Sequence, residues 1–184
     1  MNYVYNNKKD EFLIKEIMQN SISASFQTRN EEFPIYNYEN LDLNSAKYLR
    51  NEIKDFLLLY LHNYKTIDEK GHIAKIKELS DILSSKYSKI LYNGRFRIGI
   101  SQKVINLFLK YMWSIGKIDV PYHCPIDNII KIKVLKGLKN ITLKDWTELD
   151  NIKDYLKYIE LIRIKSINSN ISIAEWELEN WKKG

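Results

Sequence analysis

The chain has 184 residues, a mass of 22.0 kDa, a formal net charge of +6 and a pI near 9.1. Hydrophobic residues at 45% and charged residues at 28% exclude disordered and fibrous classes and fit a single globular domain. The lone cysteine, Cys124, excludes an internal disulfide, a cysteine-rich zinc site and a cysteine-ligated iron–sulfur cluster, so no metal and no cofactor is expected.

Twenty-nine Lys+Arg against 23 Asp+Glu favour attraction to a polyanion such as nucleic acid, although only five of the basic residues are arginine. The start Met1-Asn2-Tyr3-Val4-Tyr5 lacks a secretory pattern, and no apolar run reaches the ~18 residues that span a bilayer. The expectation is a cytoplasmic monomer without membrane association.

Taken in chain order, residues 10–25 predict a first helix with Phe12, Ile14, Ile17 and Met18 towards one side, broken by the polar stretch 27–32 and Pro34. This part, 1–40, is a first helix or an N-terminal extension, and 41–184 is the core. From a cap at Asn44 or Ser45, Ala46, Leu49, Ile53, Phe56, Leu57, Tyr60 and Leu61 recur at helical spacing. After Gly71, Ile73, Ile76, Leu79, Ile82 and Leu83 do the same, ending before Asn93-Gly94.

The next helix, 102–115, is apolar around most of its circumference and is predicted to be the buried centre of the fold. Its polar positions Lys103, Asn106, Lys110 and Ser114 share a stripe roughly 80° wide at about 100° per residue. Gly116 stops it, Asp127 is placed to cap a helix containing Ile129, Ile130 and Ile132, and Gly137 ends that one. Thr142 with Asp145 resembles a further cap, 151–166 is amphipathic, and Ser172-Ile173-Ala174-Glu175 is a capping box opening a last short helix. The fold class is all-α, a compact bundle of about eight helices.

Function concentrates in residues 95–127. Gly99-Ile100-Ser101-Gln102-Lys103-Val104 reads as a tight glycine turn ahead of a helix N-terminus, a device that presents backbone amides to a phosphate. Arg95 and Arg97 stand just before it. His123-Cys124 are adjacent residues that do not readily aim at each other as a nucleophile pair or metal site.

These residues, with a lysine at the hairpin exit and Asp127 at the next helix start, resemble the helix-hairpin-helix DNA glycosylases, in particular the 8-oxoguanine glycosylase/AP lyase branch, over 95–132. The resemblance implies a helix-hairpin-helix element around 90–115 and excision of a damaged or modified base flipped out of duplex DNA. It makes Lys103 the nucleophile at the sugar C1′ and Asp127 the charge stabiliser or proton manager. Arg95, Arg97, Gly99, Ser101 and Gln102 become DNA contacts. His123, Trp176 and Glu175 become base-pocket residues, with Trp176 stacking on the base. Two other readings stay open: a helical DNA-binding protein without catalysis, and a helical protein-interaction factor of phage, plasmid or defence origin.

Overall fold

In the computed structural model, which describes residues 7–28 and 30–181, Asn7 accepts from the amides of Lys9 and Asp10 and opens α1 (Lys8–Phe26). Ile14, Ile17, Met18 and Ile22 form its buried face. Phe12, expected on that face, is 66% exposed, one turn too early to reach the core. Asp42 caps α2 (Leu43–Asn63), which buries Leu49, Ile53, Leu57 and Tyr60. Asp68 caps α3 (Glu69–Tyr87) by accepting from the amide of Gly71, so that glycine lies within the first turn of the helix and not before it.

A turn built on Asn93 (φ 51°) and Gly94 (φ 68°) leads from α3 into α4 (Ile98–Ser114). The connection between these helices therefore lies earlier than expected, and residues 99–102 belong to the helix itself. As predicted, α4 is buried over most of its circumference; it packs against α1, α3 and α6. Asp127 caps α5 (Asn128–Leu135) by accepting from the amide of Ile130, and Gly137 follows it in the left-handed region at φ 83°.

The Thr142/Asp145 pattern does not open a helix. Asp145 is engaged by Lys131 at 2.6 Å and 141–150 runs as an irregular segment. Asn151 then caps α6 (Ile152–Asn168), and the predicted capping box of Ser172 and Glu175 opens α7 (Ile173–Asn180). The described residues thus hold seven α-helices, no strand, and no helix long and apolar enough to cross a membrane.

Candidate active site

The polar stripe of α4 is the organising feature of the interior, because polar groups on a buried helix must find partners there. Asn106 donates to Gln102 Oε1, the Cys124 carbonyl and the Tyr155 hydroxyl. Lys110 lies 2.9 Å and 2.8 Å from the two carboxylate oxygens of Glu177, under the Trp181 ring at 4.5 Å. Ser114 donates back to the Lys110 carbonyl.

Lys103 differs from the others. Its Nζ stands 4.0 Å from the centre of the Trp146 ring and makes no ion pair or hydrogen bond among the described residues. Burial holds its ammonium below the usual lysine value, and the charge of Asp127 acts in the opposite sense. Asp127 thus bears on the charge of Lys103, and no ion pair or hydrogen bond joins the two.

Trp146 was not anticipated. It comes from the irregular 141–150 segment, which carries no periodic signal, and tertiary contacts fix it. Arg97 Nε donates to the Thr147 carbonyl at 2.6 Å, Asn30 donates to the Thr147 hydroxyl, and the Gly99 amide donates to the Leu149 carbonyl at 2.8 Å. Beside Trp146 opens a cleft of about 440 Å³, lined by Asn30, Glu31, Glu32, Asn128, Trp146 and Thr147 among others.

The remaining predicted contacts are placed differently. Gly99, Ser101 and Gln102 are fully buried: the Gly99 amide is taken by Leu149, Ser101 Oγ donates to the Ile76 carbonyl, and Gln102 exchanges hydrogen bonds with the Ile126 backbone. This segment presents no free amides to a phosphate, and Gly99 is needed because backbone packs on backbone. Arg97 is 5% exposed and braces the carbonyls of Phe33, Pro34 and Thr147. Arg95 is partly exposed and forks onto Asp150 through two 3.1 Å bonds.

The three expected base-pocket residues do not line the cleft either. Trp176 is 6% exposed within the core, and Glu175 is closed into its capping box with Ser172. His123 is buried, with Nδ1 2.7 Å from the Tyr155 hydroxyl and Nε2 3.0 Å from Glu69, which also binds Arg163. The thiol of neighbouring Cys124 is buried and pushed well up by that burial, which removes it as a nucleophile at neutral pH.

His123 meets the buried His72 edge-on, ring centres 4.8 Å apart, and His72 Nδ1 pairs with the Tyr60 hydroxyl at 2.7 Å. Burial pushes His72 down to about 3 and lowers His123 as well, so both are neutral in the fold near neutrality. A histidine whose folded value is depressed stabilises fully above its ordinary value of 6.5 and loses that contribution as pH falls towards the folded value. Unfolding free energy measured in urea should therefore fall between about pH 6.5 and about pH 5 by up to ~1.4 kcal/mol per pH unit for each histidine. A flat profile across that window would contradict the neutral pair.

The Lys110–Glu177 pair, with side chains 8% and 1% exposed, supports a second expectation. Glu177→Ala strands a buried ammonium and should cost about 3–5 kcal/mol in chemical denaturation, whereas the joint Lys110→Met, Glu177→Leu variant should recover most of that loss. Equal destabilisation of the two variants would refute this account.

Comparison with protein-family models, with curated proteins and with solved structures finds no match.

Proposed function

We propose that the chain acts on DNA as a base-excising glycosylase with lyase activity, and that Lys103 supplies its amine. The observation that carries this reading is the state of Lys103: a half-buried amine, without a carboxylate partner among the described residues, held below the ordinary lysine value over the ring of Trp146, which lines the cleft. An amine nucleophile must be available without its proton, and desolvation without ion pairing favours that form. The cleft of about 440 Å³ has the size of a small-molecule site. Its carboxylates and amides suit a ring rich in hydrogen-bond donors.

In the reaction, unprotonated Nζ attacks C1′ of the extruded nucleotide. The Nζ–C1′ bond forms as the glycosidic C1′–N bond breaks, and the base leaves with the bonding electrons and takes up a proton. The nitrogen lone pair then forms the C1′=N bond as the C1′–O4′ bond breaks, and the remaining Nζ proton passes to O4′, which leaves the sugar ring open and the Schiff base in place. Asp127, at the helix N-terminus, offers a carboxylate to the positive charge that develops on the sugar.

The test is borohydride trapping on a duplex containing an abasic site. Hydride reduces the imine and leaves a stable covalent adduct between protein and DNA. Absence of adduct, together with absence of base release from duplexes carrying modified bases, would refute the proposal.

A further inference from the structure

Since residues 99–102 are buried, a DNA-binding enzyme of this architecture needs its phosphate contacts elsewhere. The excursion 128–144 contains Lys131, Lys133, Lys136, Lys139 and Lys144 and no acidic residue. It begins after Asp127, the cap whose charge acts on Lys103, buries Ile130, Val134 and Leu143 in the core, and ends before Trp146, the ring beneath Lys103; Asn128 and Trp146 both line the cleft. Both of its ends are thus anchored at the candidate active site.

Lys131 and Lys144 are occupied by Asp145 and Asp154, at 2.6 Å and 2.9 Å. Lys133, Lys136 and Lys139 make no ion pair among the described residues, Lys133 being half-buried and the other two exposed. Lys165 of α6 reaches the Lys136 carbonyl at 3.1 Å and adds a fourth cation to the same place. Gly137 (φ 83°) and Asn140 (φ 60°) turn the chain at the tip, and Leu138 and Ile141, 38% and 40% exposed, flank Lys139.

We propose that this excursion is the DNA grip of the protein, with Lys133, Lys136 and Lys139 neutralising backbone phosphates next to the nucleotide that enters the cleft. The inference rests on the DNA reading above but not on the chemistry of Lys103. Lysines without an ion pair among the described residues supply sequence-independent attraction to phosphate, and exposed aliphatic side chains beside them can press against base steps. The same mixture of lysine and aliphatic surface also suits an anionic bilayer. Attachment of both ends to the active site favours DNA, since a grip serves catalysis only where the substrate enters.

The experiment is fluorescence anisotropy of the full chain on a labelled, unmodified duplex over a range of salt concentrations. Each phosphate contact contributes about 0.9 to the slope of log affinity against log salt, so the triple variant K133Q/K136Q/K139Q should lower that slope by about 2.7. The double variant K136Q/K139Q, which leaves half-buried Lys133 in place, should lower it by about 1.8. The control is K75Q/K77Q/K86Q, which removes the same charge from lysines already paired with Glu78, Asp81 and Glu52 and should leave the slope nearly unchanged.

Equal losses in the grip and control variants would overturn the proposal, because net charge alone would then explain binding. Binding to vesicles of mixed phosphatidylserine and phosphatidylcholine that depends on these lysines, with no binding to duplex, would overturn it in favour of a lipid surface. A failed borohydride trap alongside the expected slopes would remove the catalytic reading and leave the grip standing.

Discussion

Replacing Lys103 by Arg should reduce the borohydride-trapped adduct on an abasic-site duplex to background while leaving thermal unfolding close to wild type. Arg keeps the cation over Trp146, a contact worth about 0.5–2 kcal/mol, so packing survives. Its guanidinium does not lose a proton at accessible pH and forms no Schiff base. Lys103→Gln should give the same chemical loss with a small loss of stability. In the wild type the rate of adduct formation should rise with pH and level off below 10.5, the ordinary lysine value, because burial favours the neutral amine.

Asp127→Asn separates the two roles of that residue. Asn caps helices about as well as Asp, so stability should stay within a few tenths of a kcal/mol. The lost carboxylate charge no longer favours the Lys103 ammonium, and the plateau of the pH profile should shift to lower pH. An unchanged profile in the Asn variant would detach Asp127 from the site. Adduct formation by Lys103→Arg at the wild-type rate would move the nucleophile to another residue.

Gly99→Ala should produce a larger loss of stability than alanine at any other described glycine. A Cβ at this position would overlap the Trp146 carbonyl oxygen and lie 2.8 Å from its carbon and 3.2 Å from Leu149 Cβ. The obstacle is backbone, which does not swing aside as a side chain would. Relief requires separating α4 from the 146–149 segment and breaking the bond from the Gly99 amide to the Leu149 carbonyl. Over-packing of this kind costs about 1–3 kcal/mol and more where backbone must move. The urea midpoint should fall accordingly, and the cation–aromatic contact of Lys103 should loosen with Trp146. By contrast, a Cβ at Gly116 meets nothing within 4 Å, so Gly116→Ala incurs only the strain of its positive φ of 71°. Equal midpoints for Gly99→Ala and wild type would show that the close approach is absent in solution.

These two positions mark the boundary of what was legible. The stripe of α2, the caps at Asp127 and Ser172 and the burial of α4 follow from spacing and from short-range hydrogen bonds, and all of them stand in the structure. Gly99 was misread because a glycine needed for a tight turn and a glycine needed for close backbone contact leave the same mark in a sequence. The true turn glycine is Gly94, with φ 68°. Likewise, His123, Trp176 and Glu175 looked like pocket residues because exposed and buried aromatic or polar groups are alike in one dimension. Buried hydrogen bonds, core packing and a capping box occupy them instead.

The amino-acid sequence by itself determined the all-α class, the starts of α5, α6 and α7, the central place of α4 and the polar stripe that contains Lys103. These depend on interactions within a few residues, where periodicity and capping chemistry act. Tertiary structure alone decided that Trp146 would lie under Lys103 and that Asp127 would act on its charge. It likewise paired Lys110 with Glu177, 67 residues away, and left Lys133, Lys136 and Lys139 without an ion pair among the described residues. The irregular 141–150 segment carries no repeat that could announce its position. Its place comes from Arg97, Asn30 and Gly99, whose partners are set only when the chain has closed on itself.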